Sequence, residues 1–268
     1  MSSAIQLFAT PNPRRFVQDG FVVLPEVFSN LEIVRLRRAL VALFHDNKPP
    51  FEARFSNTAL FDEPLRSIVF ANTRLIGALR ELLGEDFLFL NEFAAHDSFY
   101  SGWHTDTSSP EGKVGHDFHW SPNFILVNVA IYLQDNGETG GGLDVVPRSY
   151  LRDDPLAIGL RRDLGFPPVH LRDIDADPYC GALTLRAKAG DATVFHLRTS
   201  HRSSIATRAA DNDDERKLAL FILAGANNSS TRRYRTCLNE YHALNTTSRP
   251  NLPADFMRVL SDRGLTII

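Results

Sequence analysis

Apolar residues recur along this chain at two periods, and the change from one to the other divides it. Ser29-Asn30-Leu31-Glu32 has capping-box spacing, and Leu36, Leu40, Leu43 and Phe44 follow at three- and four-residue intervals through to His45, which predicts an amphipathic helix closed by Pro49-Pro50. Ahead of it, the run Phe21-Val22-Val23-Leu24, stopped by Pro25, predicts a short strand after a short helical or irregular piece. Two further helices are expected, one around 64–70 and one from about 73 to 83 that ends at Gly84. From Asp86 the pattern turns extended. Short apolar runs at 87–90, 124–133, 143–146, 183–185, 192–195 and 217–223 are separated by Gly, Pro and Asp clusters. A last helix is expected over 253–263, with Pro253 in its first turn and Gly264 after its end. The expectation is a mainly β chain with flanking helices (α+β), built on a double-stranded β-helix or jelly-roll, cupin-like core.

No repeat, low-complexity tract or linker interrupts the 268 residues, so one domain over 1–268 is expected. Residues 1–85 would form a helical support, 86–225 the core, and 226–268 an extension carrying a helix. Two connections, 107–123 and 148–181, are long for a compact domain; such loops are commonly functional, and their aromatic and basic content suits lids over a substrate pocket.

Composition narrows the partners. The formal charge of −3 gives no general attraction for nucleic acid or an anionic membrane surface, which points to a small-molecule substrate. The two cysteines, Cys180 and Cys237, exclude a disulfide framework and a cysteine-rich zinc cluster. The first residues lack a basic segment followed by an apolar run, and no stretch is long enough to span a bilayer, so a cytoplasmic location is expected. No heptad seam demands a partner, leaving monomer and homodimer both open.

The candidate chemistry lies in Trp103-His104-Thr105-Asp106 and, far downstream, in the segment 190–201 that ends at His201. A lone His-x-Asp carries little weight, since composition alone produces about one in a chain of this length. Its context adds weight: His104 and Asp106 follow one strand-like run and His201 follows another, so a jelly roll could bring them together. Two imidazoles and one carboxylate hold one face of an octahedral iron(II) and leave three positions open. His196 competes with His201 for the distal place, but it continues the strand and reads better as a packed residue. Zinc is the rival metal, and a metal-free histidine–carboxylate contact is the plainer alternative. A dicarboxylate entering an apolar barrel needs a basic anchor, for which Arg216, at the entry of the run 217–223, is the candidate and Arg208 the alternative. Trp103, Thr107, His116, His119, Trp120 and Arg148 are the candidates for touching substrate.

These motifs resemble the phytanoyl-CoA dioxygenase-like family of Fe(II)- and 2-oxoglutarate-dependent oxygenases. The resemblance runs through Asp19-Gly20-Phe21-Val22-Val23-Leu24-Pro25, Trp103-His104-Thr105-Asp106, the segment 142–150, and Phe195-His196 through His201-Arg202-Ser203. It implies iron(II) held by His104, Asp106 and His201, with 2-oxoglutarate and dioxygen as cosubstrates. It assigns 2-oxoglutarate contacts to Ser203 and Arg216, although the interval from His201 to Arg216 is longer than the family's, and an upstream amide contact to Asn91 or Asn128. The carboxylate at Asp106 implies hydroxylation, desaturation, cyclisation or oxidative dealkylation rather than halogenation, with release of succinate and CO2. A small polar metabolite or natural-product intermediate is the expected substrate, since neither long loop offers the apolar run of an acyl tunnel. A cupin-like metalloenzyme without 2-oxoglutarate and a non-catalytic jelly-roll binding protein are the alternatives.

Overall fold

The computed structural model describes residues 13–44, 54–56, 59, 62–115, 123–151, 182–212, 214–244 and 252–268. The amino-terminal part holds helix α1 (Pro13–Asp19), strand β1 (Phe21–Leu24), helix α2 (Asn30–Phe44), strand β2 (Arg54–Ser56) and helices α3 (Glu63–Ala71) and α4 (Thr73–Leu83). Each helix start has a local cause. Ser29 and Glu32 close the expected box, the Ser29 N–H donating to Glu32 Oε2 at 2.7 Å. Asp62 and Asn72 cap α3 and α4 by accepting from Leu65 and Leu75 N–H, both at 2.9 Å. The Asn72 amide also donates to the Val27 carbonyl at 2.9 Å and so ties the helix pair to the strand region.

Strand β3 (Leu88–Asp97) follows, then helix α5 (Ser108–Val114), strands β4 (Leu126–Tyr132), β5 (Leu143–Val145), β6 (Leu183–Leu185), β7 (Ala192–His196), β8 (His201–Ser203) and β9 (Leu218–Gly225). Helix α6 (Ser229–Leu244), helix α7 (Ala254–Asp262) and strand β10 (Thr266–Ile267) end the chain. Among the described residues the strands make a seven-stranded sheet in the order β1-β7-β4-β9-β3-β10, with β2 also on β3, and a three-stranded sheet in the order β6-β5-β8. Neighbours are antiparallel except β10 against β3. This is a jelly-roll core with helices packed on the outside of its large sheet.

Strand alternation creates two cores, one on each face of that sheet. Val22, Leu24, Val127, Val129, Ile131, Val194, Leu220 and Ile222 point outward to Leu36, Leu40, Leu65, Leu75, Leu79, Phe256 and Leu260 of the helices. Phe21, Val23, Ala130, Tyr132, Phe195 and Ala219 point inward to Leu143, Val145 and Leu185 of the small sheet. With both faces covered, all seven residues of β4 are buried, which explains why its sequence is continuously apolar apart from Asn128. Leu36 and Leu40 are fully buried, and such side chains each contribute about 1.5–3 kcal/mol relative to exposure.

Five elements were not expected from the sequence pattern, two of them the short strands β2 and β10. Helix α5 occupies part of the connection 107–123, β8 is a strand where a turn followed β7, and α6 fills the extension after β9. The signal for α6 was present in Asn228, whose Oδ1 accepts from Thr231 N–H at 3.0 Å, followed by Tyr234, Cys237, Leu238 and Tyr241 at helical spacing. The strand of 87–90 runs on to Asp97. The remainder of both long connections, 116–122 and 152–181, lies outside the described residues.

Candidate active site

The backbone brings the metal-ligand candidates together before their side chains do. His104 and His201 exchange both backbone hydrogen bonds at 2.9 Å, so the His-x-Asp segment lies against β8 at the small sheet's edge, and Asp106 N–H donates to the Leu197 carbonyl at 3.0 Å. Potential donor atoms of His104, Asp106 and His201 all lie within 4.8 Å of one another. His104 Nδ1 is 2.7 Å from the Gly102 carbonyl and His201 Nδ1 is 2.9 Å from the Thr199 carbonyl. A carbonyl only accepts, so each Nδ1 bears the proton and each Nε2 presents a lone pair to the centre. Those Nε2 atoms stand 3.7 and 3.6 Å from Asp106 Oδ1, wider than the roughly 3.0 Å between adjacent donors of an octahedral ion with bonds of about 2.1 Å, so binding an ion would draw the three together by some tenths of an ångström. The other carboxylate oxygen accepts from the Asn128 amide at 3.0 Å, which fixes its orientation. Burial, reinforced by the neighbouring His201, pushes His104 down to about 4. It is therefore neutral at neutral pH, the state in which an imidazole ligates. The donor set and its outer hydrogen bonds fit a divalent metal.

The triad opens into a cavity of about 470 Å³ between the sheets. Beyond Ser203 its wall is formed by Lys217, Ser101, His96, Phe99 and Tyr132. Lys217 Nζ donates to the Phe99 carbonyl and, at 3.0 Å, to Ser203 Oγ, and it lies 4.5 Å from the centre of the Tyr100 ring. Burial pushes its ammonium down to about 7. Its stem passes over Gly141, where a Cβ would come within 2.7 Å of Lys217 Cδ.

Arg216, the expected anchor, is elsewhere. Its guanidinium grips the buried Asp97 carboxylate of β3 with two hydrogen bonds, Nε to Oδ1 at 2.7 Å and Nη2 to Oδ2, and it does not line the cavity. The reason is strand parity. Phe221 and Leu223 of β9 face the cavity, and the residue an even number of positions before them is Lys217, not Arg216. Arg208 lies on an exposed turn bound to Glu138, Asp211 and Glu215. The long interval from His201 reflects that turn.

The other expected residues divide as clearly. Ser203 and Asn128 line the cavity; Asn91 does not, and its N–H donates to the Ile268 carbonyl at 2.8 Å. Trp103 is buried beneath the Arg202 guanidinium, 4.9 Å from its ring, and that guanidinium is held by Asp144 at 2.8 Å. Thr107 is buried with its Oγ1 3.5 Å from Thr105 Oγ1, and Thr105 is the one that reaches the cavity. Arg148 is exposed at a positive-φ turn. His116, His119 and Trp120 lie outside the described residues. His196 is packed: Nε2 meets the Phe124 carbonyl at 2.9 Å, Nδ1 accepts from Arg198 N–H at 3.1 Å, the ring stacks on Tyr150, and burial pushes it down to about 3. Sequence reasoning missed Lys217 and His96, and it missed the wall supplied by Glu92 and by Tyr234, Leu238, Tyr241 and His242 of α6.

Two facing sheets with a His-Asp-His group at the end of the smaller one define a jelly-roll metalloenzyme. The chain belongs to the phytanoyl-CoA dioxygenase (PhyH) family, which it matches over residues 16–208, and it is a dioxygenase of the non-haem-iron, 2-oxoglutarate-dependent type. It is 26% identical over 230 residues to the ectoine dioxygenase of Streptomyces avermitilis, covering 72% of this chain and 74% of that protein. It is also 26% identical over 221 residues to the L-proline trans-4-hydroxylase of Streptomyces griseoviridis, covering 73% and 80%. Among solved structures, HygX from Streptomyces hygroscopicus with nickel and 2-oxoglutarate bound superposes with a TM-score of 0.59 at 17% identity, covering 79% of this chain and 85% of that one. The epimerase SnoN in complex with Fe3+, alpha-ketoglutarate and nogalamycin RO gives 0.57 at 20% identity, covering 80% and 82%.

Proposed function

We propose that this enzyme hydroxylates a carbon of a small polar metabolite, consuming 2-oxoglutarate and dioxygen and releasing succinate and CO2. One observation carries the reading: three convergent metal donors and a buried lysine ammonium face one cavity, linked through Ser203, two residues beyond the distal histidine. His104, Asp106 and His201 would hold iron(II), which when bound would supply the redox chemistry for coupling 2-oxoglutarate decarboxylation to oxidation of a substrate C–H bond by dioxygen. The chain's own residues do the rest. Gly102 and Thr199 hold both imidazoles in the ligating tautomer, and Asn128 keeps the Asp106 carboxylate aimed inward. Lys217, with Ser203 beside it, receives the distal carboxylate of 2-oxoglutarate in the role expected of Arg216. Phe221 and Tyr132 keep that end of the cavity apolar, which strengthens the ion pair. The relatives that act on ectoine and L-proline support a small polar substrate. Among the described residues no helix is long and apolar enough to cross a membrane, and a cytoplasmic enzyme acting as a monomer or homodimer is part of the proposal.

The test is an anaerobic titration with Fe(II) and 2-oxoglutarate, followed by admission of oxygen. A visible absorption band on adding both, and succinate afterwards, are expected; D106A should lose both. Unchanged succinate formation by D106A removes that carboxylate from the site.

A further inference from the structure

At the Lys217 end of the cavity one buried hydroxyl, that of Tyr132, makes no hydrogen bond with any described residue. Three strands place it. Ala219 of β9 is paired with Tyr132 of β4 on one side and with His96 of β3 on the other. Tyr132 and His96 line the cavity, as do Phe221, two residues after Ala219, and Lys217, two residues before it. The backbones of Tyr132 and His96 are two interstrand steps apart, about 10 Å, and between them stands only the methyl group of Ala219. A slot results, with the Tyr132 and His96 rings as its sides. Phe221 stands toward one end, its ring 6.5 Å from that of Tyr132 and 4.4 Å from that of His96. Lys217 stands at the other end, a diagonal neighbour of Tyr132 across the strand pair, which is within reach for an aromatic and a long side chain.

Ser203 approaches the same place from the small sheet. It is the strand partner of Leu143, which belongs to one packed cluster with Tyr132. Ser203 Oγ accepts from Ser101 N–H and from Lys217 Nζ, each at 3.0 Å. With both lone pairs taken, its own proton is left to donate, and Ser101 Oγ, 3.4 Å away, is long for an O–H···O bond. Ser203 lies two residues from His201 along β8, about 7 Å of extended chain. Whatever bridges the metal ligands and this hydroxyl is therefore short.

Tyr132 is 1% exposed, and its ring is part of the inward core. A phenol removed from water normally finds an acceptor, because an unmade hydrogen bond costs more than a made one contributes. Burial, with the Asp144 carboxylate adding to it, pushes this phenol up, so it keeps its proton and can donate. An ammonium, a serine O–H and a phenol O–H at one end of a cavity suit an anion with more than one oxygen. We propose that the Tyr132 hydroxyl donates a hydrogen bond to the far carboxylate of 2-oxoglutarate, as the second neutral donor, beside Ser203, on the group that Lys217 neutralises. This rests on the oxygenase reading above and adds to it a cosubstrate-binding residue that no sequence motif singled out.

The test reads binding apart from turnover. Fe(II)-loaded wild type and Y132F are titrated anaerobically with 2-oxoglutarate, following the visible band, and again with 2-oxopentanoate, which keeps the 2-oxo acid and lacks the far carboxylate. Y132F should weaken 2-oxoglutarate binding about ten- to hundredfold, the range for a hydrogen bond to a charged group, and leave 2-oxopentanoate within about twofold. In succinate assays the KM for 2-oxoglutarate should rise by a similar factor with kcat far less affected. The melting temperature of Y132F without ligand should stay within about 2 °C of wild type, because the deleted O–H bonds no described residue. A 2-oxoglutarate dissociation constant within about twofold of wild type, an equal loss with both acids, or a melting temperature lowered by more than about 4 °C overturns the proposal; the last would show that the hydroxyl serves the fold. Failure of the underlying reading looks different: wild type itself would give no visible band with Fe(II) and 2-oxoglutarate.

Discussion

Arg216 and Lys217 are adjacent cations with opposite surroundings, and substitutions at the two should part cleanly. K217M should raise the KM for 2-oxoglutarate about a hundredfold, the value of a charge-assisted contact, in initial-rate succinate assays. R216M leaves buried Asp97 without its guanidinium and should cost about 3–5 kcal/mol in denaturant unfolding, with no comparable change in that KM. The lysine also sets a pH dependence. Burial holds its ammonium at about 7, and the nearby His96, itself pushed down to about 3 chiefly by burial, stays neutral throughout the working range. A dianion binds the protonated lysine, so the KM for 2-oxoglutarate should be flat below pH 7 and climb about tenfold per unit above it. An arginine stays protonated, so K217R should abolish the climb. A basic residue at the start of this strand was legible in the sequence. Which of two neighbours faced inward was not, because parity is fixed only when Phe221 and Leu223 are seen to face the cavity.

The elements succeed or fail as sequence readings according to how much of their signal is local. Helices α2, α3 and α4 carry side-chain caps and apolar stripes, α7 (Ala254–Asp262) has the stripe without a side-chain cap, and all four fall within a residue or two of expectation. Helix α6 is polar over most of its surface; Tyr234, Leu238 and Tyr241 line the cavity, and Cys237 packs with Phe124 and Leu126. Removing its cap with N228A should cost about 1 kcal/mol and lower the melting temperature by about 2–4 °C. The turn before β5 is specific in another way. Gly141 sits at φ +78 against the Lys217 stem, so G141A combines a strained backbone with a displaced lysine. It should both destabilise the fold and raise the KM for 2-oxoglutarate, whereas N228A should change stability without that second effect. Both variants are read by a thermal melt beside the succinate assay.

At the scale of the whole molecule, the large sheet is a partition with an outer core that buries helices and an inner face that carries chemistry. The candidate metal ligands connect the segment at 104–106 with β8, so an ion bound there would stabilise the folded chain by mass action. Fe(II) at a hundredfold excess over its dissociation constant should add about 2.7 kcal/mol and raise the melting temperature by about 5–10 °C; a chelator should reverse the shift, and D106A should not show it. The sequence by itself determined the two periodicities, most of the capped helices and the jelly-roll class, and it singled out the three candidate ligands that the fold brings within 4.8 Å of one another, because each rests on short-range pattern or on residue chemistry that travels with its motif. Tertiary structure alone decided that Lys217 faces the cavity and Arg216 grips Asp97, that Trp103 is core, and that Glu92 and His242 meet in the cavity wall. Those outcomes depend on strand parity, on a bulge and on the docking of α6, all of them relations between segments far apart in the chain.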